Sequence, residues 1–173
     1  QTEDPETQPW RRYEIGQRIH DCALLLDDDG RNWLLYDGGS IIELNADVTG
    51  LKEGATSQTV LPNLHVPHPE TGVKPNSGLN EGAHIQKING TYYIFAITWP
   101  AGWPRTQVCH VSDNLFGPYE GRAIAFENIR VDGSGGAGVA QGGIVDDGEG
   151  NWYGFAFRDS GSVGRAPWLV PIN

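Results

Sequence analysis

Asn80-Glu81-Gly82-Ala83-His84-Ile85-Gln86-Lys87-Ile88-Asn89-Gly90-Thr91-Tyr92-Tyr93-Ile94-Phe95-Ala96 is the stretch that decides the fold. Asn89-Gly90 separates two apolar runs. That pattern predicts a tight hairpin, because a type I′ turn needs φ > 0 at both central residues and Asn-Gly supplies it. Glu81 then stands at the entrance of a strand whose hairpin partner is strongly apolar. A carboxylate leading into a buried strand is costly unless it is used or paired. Taken alone, the stretch better fits a solvent-facing glutamate at a strand edge, the commoner setting for this residue.

The surrounding chain repeats this unit. Sixty residues before Glu81 is Asp21, in HDCALLLDDDGRNWLLYDGG, and sixty after it is Gln141, in GVAQGGIVDDGEGNWYGFAF. Each is a polar residue ahead of a short apolar strand, a Gly-containing turn and an aromatic-rich strand. Trp33, Tyr92 and Trp152 follow the same spacing, 59 and 60 residues apart. A fixed period with a hairpin in each unit marks a radially repeated all-β array, a β-propeller. Equivalent positions at the mouths of successive inner strands ring one axis, so Asp21, Glu81 and Gln141 are expected to converge on one pocket. The units run over about 19–78, 79–138 and 139–173 of a single domain.

Composition agrees with that class. The 173 residues are 38% hydrophobic, enough for a sizeable core, and include 24 Gly and 11 Pro, which suits many turns. No segment reads convincingly as a helix. Twelve basic against 22 acidic residues give a net charge of −10, which argues against nucleic acid or an anionic membrane as partner. No run approaches the ~20 apolar residues of a membrane-spanning helix. The chain contains no Met, so residue 1 is expected to be the start of a processed product or fragment. The two cysteines, Cys22 and Cys109, lie in different units and make no disulfide framework. Cys22, in an apolar run, is expected to be a small core residue. His65 and His68 share the Pro-rich loop and are expected to be polar loop residues rather than metal ligands.

Within the first unit, Ile19–Leu26, Trp33–Tyr36 and Ile41–Leu44 are expected strands, with a fourth around Thr59–Leu61. Asp27-Asp28-Asp29-Gly30 lacks the EF-hand pattern and reads as a hairpin turn. Residues 61–80 hold four prolines in a long loop that delivers the chain to Glu81, so the loop is placed at the pocket rim. Trp99 and Trp103, with Arg105, occupy a Pro/Gly loop after the Tyr92–Thr98 strand. Aromatic faces there fit sugar rings, whose C–H faces are apolar; packing between sheets is the other reading. The Gly-rich stretch 131–137 lacks the Lys-Ser/Thr ending of a phosphate loop.

HDCALLLDDDGRNWLLYDGG, NEGAHIQKINGTYYIFAITW, NLFGPYEG and AQGGIVDDGEGNWYGFAFRDSGSVGRAPWLVPI together resemble glycoside hydrolase family 43, in particular its β-xylosidase and α-L-arabinofuranosidase group. The resemblance implies a five-bladed β-propeller, of which this chain supplies about three blades. It implies inverting hydrolysis of xylo- or arabino-configured hemicellulose. By the same resemblance Glu81 is the general acid and Asp21 a third carboxylate that tunes and orients it. Arg165 in VGRAP reaches the sugar, with Trp99, Trp103, Arg105, Gln141 and His20 as further substrate contacts. The family's general base lies in a first blade that this chain does not contain, so a second chain or an N-terminal portion is the expected partner. Ala140 replaces a histidine that ligands a metal in many members. No histidine-bound metal and no cofactor is therefore expected. A secreted or periplasmic location follows only from the polysaccharide substrate. A non-catalytic carbohydrate-binding propeller, or an inactive fragment, is the alternative.

Overall fold

A computed structural model describes residues 4–62, 66–75, 81–126 and 138–172. Eleven strands are present among them: β1 (Ala23–Leu26), β2 (Asn32–Tyr36), β3 (Ser40–Leu44), β4 (Gln58–Thr59), β5 (Glu81–Ile88), β6 (Thr91–Thr98), β7 (Thr106–Ser112), β8 (Glu120–Ala125), β9 (Val139–Asp146), β10 (Trp152–Asp159) and β11 (Arg165–Ile172). The only helical element among the described residues is a 3-10 turn at Gly161–Val163. The strands form three separate antiparallel sheets, ordered β1-β2-β3-β4, β5-β6-β7-β8 and β9-β10-β11. β1 packs beside β5, and β5 beside β9, so the first strand of each sheet lies innermost.

The hairpin that set the expectation is in place. Asn89 and Gly90 have φ of 52° and 85°, and Ile88 pairs with Thr91. β5 and β6 then alternate two faces, and Ala83, Ile85, Tyr92 and Ile94 meet Leu25, Trp33, Leu35 and Ile41 of the first sheet in one buried cluster. Tyr119 and Leu115 close that cluster, and the Tyr119 hydroxyl donates to Leu115 O at 2.9 Å. Each such side chain contributes ~1.5–3 kcal/mol by leaving water. The sheets are thus joined by apolar faces rather than by hydrogen-bonded edges.

Several expectations need correction. The strand read as Ile19–Leu26 begins only at Ala23, and Asp21, with a left-handed φ of 47°, stands two residues before it. Cys22 is consequently exposed instead of buried in the core. His68 is only 1% exposed, stacked on Trp103 at 4.3 Å between ring centres, and so is no solvated loop residue. The chain folds back there through bonds from His68 N to Val73 O (2.8 Å) and from Gly72 N to His68 O (2.9 Å). The bridge between Pro75 and Pro100 lays the described part of the Pro-rich loop beside Trp99. His65 and the Gly-rich stretch 131–137 lie outside the described residues.

Two buried polar features went unread. Asp27 accepts from Lys87 Nζ (2.7 Å) and from the Tyr92 hydroxyl (2.7 Å), tying the first two units together. Burial pushes the Asp27 carboxyl up, but the bonds from Lys87 and Tyr92 outweigh it and hold it at about 2. His110 is completely buried on β7 with neither ring nitrogen bonded, and burial pushes it down to about 4 from the ordinary 6.5.

The sign of the resulting pH effect is fixed. Unfolded His110 binds a proton below about 6.5 and folded His110 does not until about 4, so stability falls as pH drops through that window. The expected slope is ~1.4 kcal/mol per pH unit for one such group. Burial lowers His84 in the same direction, while Asp27 stays ionised throughout the window. Urea unfolding of the chain between pH 7.5 and 4.5 should show this loss, and His110→Leu should flatten it. An equal slope in the variant would contradict the assignment.

Candidate active site

Antiparallel sheets with parallel inner strands bring the starts of β1, β5 and β9 to one end. The ends of β6 and β10 and the starts of β7 and β11 reach the same end. Asp21 lies just before β1, Glu81 opens β5, Trp99 follows β6, Arg105 precedes β7, Asp159 closes β10 and Arg165 opens β11. These residues, scattered over much of the sequence, are neighbours because of strand direction alone.

Gly82 is the joint between the units. Its amide donates to Asp21 Oδ2 at 3.1 Å, so the Asp21 carboxylate is fixed to the backbone immediately after Glu81. On its other side, a Cβ added to Gly82 would come within 2.2 Å of Gln141 Cγ. Gly82 also has a φ of 58°, and Asp21 and Gln141 have 47° and 48°. The left-handed residue at each strand entrance is therefore Asp21, Gly82 and Gln141. Bulges between Glu81 and His84 on β5, and opposite Phe155–Phe157 on β9, accommodate it. The equivalence of Glu81 with Gln141 at a strict spacing of 60 is corrected by one residue: Glu81 faces Ile97 as Ala140 faces Phe157.

The half-buried Glu81 accepts a hydrogen bond from the Trp99 indole N–H at Oε2 (3.3 Å). The Trp99 ring lies 5.6 Å from the Arg105 guanidinium. Arg105 is only 4% exposed; it donates to Gly138 O at 3.2 Å and forms an ion pair with Asp159 Oδ2. Asp159 Oδ1 is 3.5 Å from Arg165 Nε, and Arg165 also sits over Phe157 at 4.5 Å. The Arg165 side chain is 61% exposed and free to meet a ligand. His20 is equally exposed, with Nδ1 3.7 Å from Asp21 Oδ2. Trp103 is not gathered to this cluster; it stacks on His68. Behind the site, buried Gln107 locks the second sheet to the third, donating to Ala96 O and accepting from Gly142 N, both at 3.0 Å.

Sequence reasoning missed Asp159, Phe157 and Gln107. The period contained the signal for the first: Asp159 is 60 residues after Trp99, as Arg165 is 60 after Arg105. Ala140 is fully buried, and among the described residues no three His, Cys, Asp or Glu side chains are grouped to hold a metal ion. No described helix is long and apolar enough to cross a membrane.

Chemically, the cluster offers two carboxylates beside one backbone joint, an exposed guanidinium and an aromatic face at the open end of radially packed sheets. That is an all-β, propeller-type architecture with carboxyl side chains at its mouth. Comparison with known proteins agrees. Residues 3–173 match the model of glycosyl hydrolases family 43. A Xylanibacter ruminicola protein provisionally named a beta-xylosidase is 32% identical over 176 residues, covering 95% of this chain and 29% of that protein. An arabinoxylan arabinofuranohydrolase of Paenibacillus polymyxa is 32% identical over 124 residues, covering 58% of this chain and 17% of that protein. The solved structure of a bifunctional protein from Bacteroides eggerthii, with a family 43 part, superposes with a TM-score of 0.80 at 37% identity, over 99% of this chain and 21% of that one. The chain belongs to glycosyl hydrolase family 43. It spans less than a third of the length of these curated relatives.

Gly82→Ala should cost ~2–3 kcal/mol, from the contact with Gln141 plus left-handed strain. Gly54→Ala is the control, with φ of 73° and nothing within 4 Å of the added carbon. It should lose only about 1 kcal/mol. Denaturant midpoints of the two variants check this; equal losses would contradict the proposed joint.

Proposed function

We propose that the complete protein carrying this chain hydrolyses xylo- or arabino-configured glycosidic bonds in plant hemicellulose, with inversion. Glu81 acts as general acid, protonating the leaving oxygen. Asp21 is the third carboxylate, orienting Glu81 through its bond with the Gly82 amide. The general base, which activates water on the opposite face of the sugar, comes from outside these 173 residues. Arg165 provides a donor fork for adjacent sugar hydroxyls, and the Trp99 face, Gln141 and His20 line the approach.

The observation that carries this reading is the bond from the Gly82 amide to Asp21, which holds two carboxyl-bearing residues of different units at one strand entrance. Family membership and the names of the relatives support the reaction and the sugar class.

In this account the three sheets are three blades of a five-bladed propeller. The outer faces of the stack support that: Leu24 and Leu26 on β1 and Trp168, Val170 and Ile172 on β11 are all exposed. Further blades would bury them. A polysaccharide substrate implies a secreted or periplasmic site of action.

Glu81→Gln in the complete protein should lower turnover of xylo- and arabino-oligosaccharides by at least about a hundredfold, the usual contribution of a general acid. Retained turnover would contradict the assignment, and sugar binding without hydrolysis in the unaltered protein would favour a carbohydrate-binding propeller.

A further inference from the structure

Arg105 and Arg165 occupy the same place in successive units, each at the start of a third strand. Their fates differ. Arg105 is buried and Arg165 reaches solvent. One carboxylate, Asp159, lies between them, with Oδ2 on Arg105 and Oδ1 toward Arg165. The buried guanidinium then lies against Trp99 and Phe157, at 5.6 and 5.3 Å from the ring centres. Trp99 in turn donates its only polar hydrogen to Oε2 of Glu81.

An indole N–H is a donor and never an acceptor. It can meet only a lone pair, and of the two oxygens of a carboxylic acid the carbonyl oxygen is the better acceptor, so a bond to Oε2 favours the tautomer with its proton on the other oxygen, Oε1. A general acid needs that proton on the oxygen facing the leaving group. An aromatic ring that could rotate would not enforce the choice, and the buried Arg105 guanidinium lies against the ring, 5.6 Å from its centre. A buried guanidinium stays in place only while paired. Asp159 supplies the pair.

We propose that Asp159 and Trp99 are positioning residues of the acid. Asp159 clamps Arg105 beneath Trp99, and the Trp99 N–H fixes Glu81 so that Oε1 is the proton-bearing, proton-delivering oxygen. The same carboxylate orients Arg165 for the sugar through its second oxygen. This inference rests on the reading of Glu81 as general acid.

The test exploits the leaving group. A methyl glycoside needs protonation to break its bond, whereas a 4-nitrophenyl glycoside departs as a stable anion and needs little. The complete protein is assayed on methyl and 4-nitrophenyl β-xylosides and α-L-arabinofuranosides. Trp99→Phe keeps the ring and removes only the N–H. Asp159→Asn removes the charge that holds Arg105. Both should lower the ratio of kcat/KM on methyl to kcat/KM on nitrophenyl glycosides by about tenfold or more, a fraction of what the acid itself contributes. Asp159→Asn should also raise KM on both substrates, through Arg165.

A purely structural role would lower both rates alike and leave the ratio unchanged. If Asp159→Asn does not fold, Trp99→Phe decides. Glu81→Gln separates the two layers. If it lowers the ratio and Trp99→Phe does not, the positioning inference alone is overturned. If Glu81→Gln leaves the ratio unchanged, or the protein turns over neither sugar series, the reading of Glu81 falls and this inference with it.

Discussion

The glycine at position 82 is the constraint on which the rest depends. Three chain segments from three units pass within bonding distance there, and only a residue without a Cβ fits. Its amide is bonded to Asp21 and its α-carbon faces Gln141. The left-handed backbone that permits this contact also makes the bulge that turns Glu81 to the open end. Assembly of the units and assembly of the carboxylates are therefore one event. A chain that failed to pack its inner strands would also lack the site.

Polar burial is handled differently at the two ends of the sheets. Near the hairpin turns, Asp27, Lys87 and Tyr92 satisfy one another and add a charged tie between units. At the opposite end the buried cation Arg105 is tied to Asp159 while a second cation, Arg165, is left exposed on the same carboxylate. The first arrangement ends in itself. The second leaves a charge available to a ligand. His110, buried without a bonded partner for either nitrogen, contributes to neither.

Much of this was legible in the sequence. Asn89-Gly90 specifies its hairpin by local chemistry alone, and the spacing of Trp33, Tyr92 and Trp152 placed the same hairpin in each unit. Because strands alternate direction, the period also predicted that Asp21 and Glu81 would share one end. What escaped was of two kinds. A left-handed residue at a strand entrance gives no hydrophobic signal, so the early strand reading and the burial of Cys22 were wrong by a few residues. Contacts between units depend on which side chains face across sheets. Asp27 with Lys87, Gln107 with Gly142 and Asp159 with Arg105 each join residues whose pairing no local pattern announces. The burial of Arg105, read from sequence as a sugar contact, is of this kind: its neighbours come from β10 and from the approach to β9.

The most direct measurement is a crystal structure of the complete protein as the Glu81→Gln variant, soaked with a xylo- or arabino-oligosaccharide. The account predicts the scissile oxygen within hydrogen-bond distance of residue 81. It also predicts Arg165 on the sugar hydroxyls and Asp21 still bonded to the Gly82 amide. Sugar bound away from this strand entrance, with Glu81 and Arg165 untouched, would contradict it.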